Sequence, residues 1–263
     1  MNYREWAAPE TLRPWVACLW SLQAPAGEKP HTVYPDGRCE FIVHRGAPPW
    51  VQDEKGRWQA QQAWLFAAQG RQALRLWARE PLDCLGLRLQ PAASASFWSA
   101  ERLVAWRDRV VGLGAEEAAL AQALLKQDWA TLRARLQAPP DAAIQAACAR
   151  LDALDGCSTV AALAAHLGLG LRSLQGRFLR AVGLSPKEYA RIRRLQATLR
   201  LLDAGSDSLA DAAHQAGFAD QAHAHRELRA MTGLTPARLR QALMQERDGD
   251  QTLALAAAFV RGR

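Results

Sequence analysis

The sequence lacks any apolar run long enough to cross a bilayer, since residues 253–260 fall well short of the roughly 20 residues that a membrane-spanning helix needs. A secretory signal is also lacking, because Arg4 and Glu5 interrupt the N-terminal residues and no apolar segment follows them. These absences predict that the chain has no membrane partner and works in the cytoplasm.

Cysteine is scarce, and its spacing matches no metal-binding pattern. The number of cysteines is odd, so a full set of disulfides is excluded. We expect reduced thiols, no metal site and no cofactor. The five cysteines are Cys18, Cys39, Cys84, Cys148 and Cys157.

Tryptophan is absent from the second half of the chain, since all ten tryptophans lie between Trp6 and Trp129. A chain of 263 residues is long enough for two modest domains, and the Pro139-Pro140 pair is a natural place for the boundary. The sequence predicts an N-terminal domain over residues 1–138, a linker over 139–142, a second domain over 143–246 and a tail over 247–263.

The N-terminal half has the pattern of a small β domain followed by helices. Short apolar runs bounded by proline and glycine predict five strands, and residues 34–37 (Tyr-Pro-Asp-Gly) predict a tight turn. The strands are expected at residues 15–22, 39–44, 63–67, 73–78 and 82–89. Helical periodicity replaces the strand pattern over residues 91–137. The predicted fold class is α+β, with a mainly β N-terminal domain carrying appended helices, followed by an all-α domain.

The C-terminal half contains a repeat of one helical unit. Residues 183–186 (Gly-Leu-Ser-Pro) recur fifty residues later as residues 233–236 (Gly-Leu-Thr-Pro). In each copy an apolar helical face ends at a glycine, Gly168 or Gly217, and a second helix follows at once. Two helices joined by a tight glycine turn make a helix-turn-helix, so the sequence predicts two such units.

The helix that joins the two units has a clear start. Ser185 is a good N-cap, Pro186 suits the first helical position, and Glu188 completes a capping box. This pattern fixes where the helix begins and says nothing about function.

Positive charge is concentrated around this joining helix. Residues 172–200 hold eight cations against Glu188 alone, a local net charge of +7. Such a stripe suits a phosphate backbone, and the plainer alternative is a solvated helix face. The cations are Arg172, Arg177, Arg180, Lys187, Arg191, Arg193, Arg194 and Arg200.

About a hundred residues of this half resemble the paired helix-turn-helix DNA-binding domain of the AraC/XylS family of bacterial transcription regulators. The most diagnostic run is residues 216–223 (Ala-Gly-Phe-Ala-Asp-Gln-Ala-His), followed by Arg226, Gly233, Thr235, Pro236 and Arg240. In the first copy the match consists of Leu174, Gln175, Phe178, Gly183, Pro186, Tyr189 and residues 191–195. The resemblance implies a sequence-specific transcription regulator that is not an enzyme.

The resemblance also implies which side chains touch DNA. The second helix of each unit would lie in the major groove, with the two helices about one helical turn of DNA, or 34 Å, apart. Base contacts are implied for Arg172, Gln175, Gly176, Gln221, Ala222, His225 and Arg226. Backbone contacts are implied for Ser173, Arg177, Lys187, Arg191 and Arg194. For Arg177 and Arg226 contact with bases, contact with phosphates and internal ion pairing stay open as alternatives.

The chain departs from the family pattern at several positions of the two units. Gly176 stands where a polar or basic residue is usual, and Gly170 takes the usual place of a serine N-cap. Ala224 and Leu228 replace larger aromatic residues. We expect a less rigid first unit and a thinner core in the second.

The N-terminal half resembles, less closely, a cupin-like sensor domain found before the DNA-binding part of many such regulators. The matching residues are Pro14 and residues 16–21, 34–37, 40–43 and 86–91. This implies a site for an effector or partner without identifying it. The tryptophans would suit an apolar pocket, although aromatic clusters in sheets are more often core.

Double-stranded operator or promoter DNA is therefore the expected partner, in the bacterial cytoplasm and on the nucleoid. RNA polymerase, a small-molecule effector and a second copy bound through the N-terminal domain are further candidate partners. The effector-binding residues are unknown.

Two other functions stay open. The helical repeat could bind protein instead of DNA, in which case binding would lack the steep salt dependence of DNA affinity. The N-terminal domain could instead be a metal-dependent enzyme, with His31, Asp36, Glu40 and His44 as ligands. Their order does not match a cupin metal motif, which argues against this reading.

Overall fold

The structure, a computed structural model, describes residues 2–136, 138–204 and 208–247, so residues 248–263 of the predicted tail lie outside the described residues. Strands come first and helices after, which confirms the predicted fold class. The strands are β1 (Asn2–Ala7), β2 (Val16–Ala24), β3 (His31–Val33), β4 (Glu40–His44), β5 (Trp50–Gln52), β6 (Trp58–Ala60), β7 (Trp64–Ala67), β8 (Leu74–Trp77), β9 (Leu82–Leu89) and β10 (Val110–Gly112). The helices are α1 (Ala100–Ala105), α2 (Ala118–Lys126), α3 (Trp129–Ala134), α4 (Ala142–Ala153), α5 (Val160–His166), α6 (Leu171–Val182), α7 (Pro186–Asp203), α8 (Leu209–Gln215), α9 (Gln221–Thr232) and α10 (Pro236–Arg247).

All five predicted strands are present, as β2, β4, β7, β8 and β9. The other five strands were not predicted. Four of them have only three residues each, too few for an alternating pattern to show. One of these, β10, lies inside the stretch 91–137 that was expected to be helical, and that expectation was wrong there. β10 forms as a strand because β7 offers it an open edge to pair with.

The strands form two antiparallel sheets. One sheet has six strands in the order β1-β2-β9-β4-β7-β10, and the other has four in the order β3-β8-β5-β6. In the larger sheet β4 lies between β9 and β7, with Glu40 opposite both Arg88 and Ala67. The two sheets enclose a cavity of about 370 Å³.

Alternation along β4 places successive side chains on opposite faces of the larger sheet. Phe41 and Val43 pack into the core beneath α2, together with Trp98. Glu40, Ile42 and His44 face the cavity instead. The cavity side of β4 therefore carries two titratable groups inside an otherwise largely apolar space.

Glu40 is buried and paired with a buried arginine. Its Oε1 accepts a hydrogen bond from Nε of Arg88 at 2.7 Å, and both side chains are less than a tenth exposed. Burial raises the pKa of Glu40, and the charge of Arg88 opposes that shift. A buried carboxylate needs such a partner, because an unpaired charge inside a protein is costly.

The helical half has one core that continues into the N-terminal half. Phe178, Tyr189 and Leu228 belong to this core, and so do Tyr34 and Ala92 from the N-terminal half. Helix α6 packs against α1 and the short 3-10 helix at Pro91–Ser96. Among the described helices, none is long and apolar enough to cross a membrane.

The buried imidazole of His44 predicts a specific loss of stability in acid. Burial lowers the pKa of His44 to about 4, well below its ordinary value of 6.5. The folded state therefore disfavours the imidazolium form. The contribution of neutral His44 to the free energy of unfolding is fully present above the unfolded-state pKa of about 6.5, and it is lost as the pH falls towards 4. The loss attributable to His44 is roughly 3 kcal/mol, because each tenfold change in proton affinity between the folded and unfolded states corresponds to about 1.4 kcal/mol.

We expect His44→Gln to flatten the stability curve between these pH values. The measurement is the free energy of unfolding by urea at half-unit pH steps for both proteins. Carboxyl groups titrate alike in the two chains, so the difference between the curves isolates His44. Parallel curves from pH 7 to pH 4 would contradict the prediction.

Candidate nucleic-acid interface

The first helix-turn-helix unit consists of α5 and α6. Thr159 begins α5 by accepting a hydrogen bond from the N–H of Ala162 at 3.0 Å. Gly168 turns the chain with a positive φ of +63°, a conformation that glycine adopts without strain. Gly170 begins α6 without a side-chain hydrogen bond, which is the expected consequence of glycine at this position. The first unit therefore lacks one stabilising cap.

The second unit consists of α8 and α9 and is capped at both helix starts. Ser208 accepts from the N–H of Asp211, and Asp220 accepts from the N–H of His223 at 2.6 Å. Gly217 turns the chain at a φ of +81° and lies against Cys157, whose Sγ would be only 2.2 Å from an added Cβ. Any larger residue at Gly217 would therefore both strain the turn and collide with the thiol.

Helix α6 divides into a buried face and an exposed face. Leu174, Phe178, Ala181 and Val182 are buried. The predicted base-contact residues Arg172 and Gln175 are exposed, and Gly176 is half-buried. The predicted backbone-contact residue Ser173 is exposed as well.

Helix α9 repeats the arrangement. Ala224, Leu228, Met231 and Thr232 are buried, so the smaller residues of this unit still close its core. The four residues predicted to contact bases are all exposed. They are Gln221, Ala222, His225 and Arg226, which share one side of the helix because they lie one and four residues apart.

Helix α7 joins the two units and begins as the sequence predicted. The hydroxyl of Ser185 accepts from the N–H of Glu188 at 3.2 Å, and the N–H of Ser185 donates to the Glu188 carboxylate at 2.8 Å, so the capping box is complete. Arg71 and Arg107 from the N-terminal half also pair with Glu188. The capping carboxylate is thus also a contact between the two halves.

Ion pairs within the protein neutralise much of the arginine stripe. Five of its eight cations pair with carboxylates of the described residues: Arg177 with Asp141, Arg191 and Arg194 with Glu227, Arg193 with Asp152, and Arg200 with Asp155. Among the described residues, Arg172, Arg180 and Lys187 have no such partner. The local charge of +7 therefore overstates the charge available to phosphates.

The pair of Arg177 with Asp141 is bidentate, at 2.8 and 2.6 Å. Hydrogen bonding from Arg177 lowers the pKa of Asp141, whose carboxylate also caps α4. Internal ion pairing was one of the three alternatives left open for Arg177. Contact of Arg177 with a phosphate stays a prediction, since it would require sharing or leaving Asp141.

Glu227 is the residue of this region that sequence analysis missed. It lies on α9 and pairs with Arg191 at 2.7 Å, Arg194 at 3.6 Å and His223 at 3.5 Å. The two arginines belong to α7, so Glu227 fixes how α9 sits on the joining helix. No local sequence pattern predicts a contact between residues more than thirty positions apart. Only the His223 spacing of one helical turn was visible in advance.

The four residues considered as metal ligands all line the cavity between the sheets. They do not form a metal site, because no group of three or more histidine, cysteine or acidic side chains in the described part of the chain is arranged to hold an ion. Glu40 is engaged with Arg88 instead. All five cysteines, which lie within the described residues, are free thiols.

Two family models match the chain. Residues 163–242 match a model described as a helix-turn-helix domain, and residues 4–112 match a domain of unknown function, DUF6597. A comparison with curated protein sequences gave no match.

Solved structures of ToxT from Vibrio cholerae are similar at a low level. One has 8% sequence identity and a TM-score of 0.46, covering 92% of this chain and 99% of that chain. A second has 10% identity and a TM-score of 0.48, covering 86% of this chain and 98% of that chain. A third, wild-type ToxT bound to an unsaturated fatty acid, has 11% identity and a TM-score of 0.45, covering 86% of this chain and 95% of that chain. A similarity at this level carries no argument about residues or ligands.

The two matched domains agree with the observed order of elements, a mainly β part followed by two helix-turn-helix units. The C-terminal part of the chain is therefore an AraC-type helix-turn-helix domain, and the chain is a DNA-binding transcriptional regulator.

Proposed function

We propose that this regulator reads two successive major-groove segments with the exposed N-terminal halves of α6 and α9. The base-reading residues of this proposal are Arg172, Gln175 and Gly176 on α6, and Gln221, Ala222, His225 and Arg226 on α9. The observation that carries it is the repeated arrangement of the two helices. In each, the apolar face is buried while the polar residues of the first two turns are left to solvent.

The chemistry of these side chains suits direct readout. An arginine pairs bidentately with guanine, a glutamine pairs with adenine, and a histidine donates to N7 or O6 acceptors. Gly176 offers no side chain, so the first helix contributes two polar readers and the second contributes three. We propose that the second unit therefore carries more of the sequence preference.

Phosphate contacts complete the proposed interface. Ser173 and Lys187 are exposed and available. Arg177, Arg191 and Arg194 belong to the same proposed set, although each pairs with a carboxylate in the structure. Their contribution to DNA affinity would be reduced by the cost of sharing that partner.

We further propose that the cavity between the sheets is the effector site. Its volume of about 370 Å³ lies within the range of small-molecule pockets. Apolar atoms make up most of its exposed wall, which favours a largely apolar ligand, while charged side chains such as Asp36, Arg38 and Glu40 also line it. The apolar side chains include Trp20, Leu22, Ile42 and Leu65 of the larger sheet, and Val33, Leu74 and Leu76 of the smaller one.

The remaining parts of the proposal concern organisation. We place the sensor domain at residues 1–138, the linker at 139–142 and the DNA-binding domain at 143–246. We propose that the protein acts in the cytoplasm and that it works by binding and not by catalysis. The exposed edge strand β1, paired only with β2, supports dimerisation through the N-terminal domain. Contact with RNA polymerase rests on the family resemblance alone.

The proposal predicts a bipartite DNA motif. Genomic fragments retained by the purified protein are sequenced in parallel with those retained by Gln175→Ala/Gln221→Ala/Arg226→Ala. We expect two sequence blocks about one helical turn apart for the wild type and loss of the motif in the variant. The reason is that each bidentate base contact discriminates by roughly 1–3 kcal/mol.

A matched control removes the same side chains from exposed positions elsewhere. Gln23→Ala/Gln59→Ala/Arg135→Ala loses two glutamines and one arginine, as the test variant does, and should keep the motif. An unchanged motif in the test variant would refute the base-contact assignment. Retention of fragments without any shared motif by the wild type would refute sequence-specific reading.

The ion pairs within the protein predict which cations are available to contact DNA phosphates and so release counterions from the DNA. We expect Lys187→Ala to reduce the slope of log affinity against log salt concentration by about 0.9, the value for one lost phosphate contact. Arg177→Ala should reduce the slope by clearly less, because its guanidinium is engaged with Asp141 and must be shared to reach a phosphate. Titrating labelled DNA with each variant at four salt concentrations measures both slopes. A reduction for Arg177→Ala as large as that for Lys187→Ala would contradict this expectation and show that the arginine leaves Asp141 for a phosphate.

A further inference from the structure

Two segments of the N-terminal domain each have two roles in the structure. The turn at residues 34–38 lines the cavity through Tyr34, Pro35, Asp36 and Arg38. The segment 70–74 lines it through Gly70, Gln72, Ala73 and Leu74. The outer sides of these same segments contact the DNA-binding domain.

The turn 34–38 is hydrogen-bonded to α7 through its main chain. Nε2 of Gln196 donates to the carbonyl oxygen of Pro35 at 2.6 Å. Arg193 donates to the carbonyl oxygen of Asp36 at 3.1 Å. Arg38 reaches Asp152 of α4 at 2.8 Å, the same carboxylate that Arg193 and the Tyr189 hydroxyl contact.

Packing leaves this turn little room to move independently of α7. Gly37 has a φ of +79°, and a Cβ added there would lie 2.9 Å from the ring of Tyr189. Gln196 is buried, so breaking its hydrogen bond would leave buried polar groups without partners, which is costly. A displaced turn must therefore either move α7 with it or lose these contacts.

The segment 70–74 makes the corresponding contact with the second unit. The N–H of Ala73 donates to the carbonyl oxygen of Met231, in the last turn of α9, at 2.7 Å. Buried Gln69, which precedes the segment, donates to the carbonyl oxygen of Gly37 at 3.0 Å. The two cavity walls are thus tied to each other as well as to α7 and α9.

We propose that residues 34–38 and 69–74 form a latch that couples a ligand in the cavity to the arrangement of α7 and α9. This inference rests on the proposed effector site and gives it a regulatory consequence. The cavity is open while the latch is docked, so an apolar ligand stabilises the docked latch and holds both reading helices in one arrangement. Ligand binding thus raises DNA affinity, and by linkage DNA binding raises ligand affinity by the same factor.

The coupling is measured on the full chain with N-phenyl-1-naphthylamine, an uncharged aromatic probe that fluoresces in apolar sites. The first measurement is the probe's dissociation constant without DNA for the wild type and for Gln196→Ala, which removes the hydrogen bond to Pro35. We expect at least about fivefold weaker probe binding in the variant, the lower end of typical coupling factors. Gln196 does not line the cavity, so a purely local effect would leave probe affinity unchanged.

Gln145→Ala is the matched control. Nε2 of Gln145 donates to the carbonyl oxygen of Pro14 at 2.9 Å, so it too joins the halves through a glutamine and a proline carbonyl. Pro14 lies outside the cavity wall, and probe affinity should stay at the wild-type value. If Gln196→Ala does not fold, Arg193→Ala replaces it, because Asp152 then keeps Arg38 and Tyr189 as partners.

The second measurement is the affinity for DNA carrying the selected motif, with and without saturating probe. We expect saturating probe to raise the DNA affinity at least about fivefold in the wild type and in Gln145→Ala. In Gln196→Ala the probe should raise the DNA affinity little or not at all. Absence of probe binding to the wild type, equal probe affinity in both glutamine variants, or DNA affinity that falls or stays constant with probe would each overturn the latch. Weaker probe binding in Gln196→Ala together with no DNA binding in any condition would instead support the coupling to α7 and refute the DNA-reading proposal.

Discussion

The burial of α7 is the constraint on which the rest of the structure depends. Ten of its residues are buried, including Tyr189, Ile192 and Leu195, although the helix carries five of the eight cations of the arginine stripe. A helix buried on this scale must satisfy its charges internally, because unpaired buried charge is costly. The acidic partners Asp152, Asp155 and Glu227 come from α4, the segment after α4, and α9. Both helix-turn-helix units and the sheet domain are therefore arranged around one helix.

This arrangement separates the residues that hold the domain together from the exposed residues that are proposed to recognise DNA. The arginines of α7 stabilise helix packing, and exposed polar side chains at the starts of α6 and α9 are left for the partner. Asp220 caps α9, whereas Gly170 gives α6 no side-chain cap. The better-capped helix, α9, is also the one with the greater number of proposed polar base contacts. The N-terminal half is in contact with both units, so the spacing of α6 and α9 depends on the whole described chain.

Local sequence patterns predicted most of the secondary structure and which faces of α6 and α9 are buried. The long alternating strands, the capping box at Ser185 and the glycine turns all depend on neighbouring residues, so their signals are contained in a few positions. The three-residue strands were missed because pairing with a neighbour, and not their own pattern, makes them strands. For the same reason sequence patterns could place His31, Asp36, Glu40 and His44 on strands but not reveal the cavity that they line.

The sequence by itself determined that two helix-turn-helix units follow a mainly β domain, because helix periodicity, caps and turn glycines are local properties of the chain. Tertiary structure alone decided which positive charges are left without a carboxylate partner within the described part of the protein. Arg177, Arg191 and Arg194 look equivalent to Lys187 in the sequence, yet of these four only Lys187 has no carboxylate partner among the described residues. It also decided that the turn at 34–38 meets α7, since that contact joins residues about 160 positions apart. Contacts over such distances depend on how the elements pack, which no local pattern encodes.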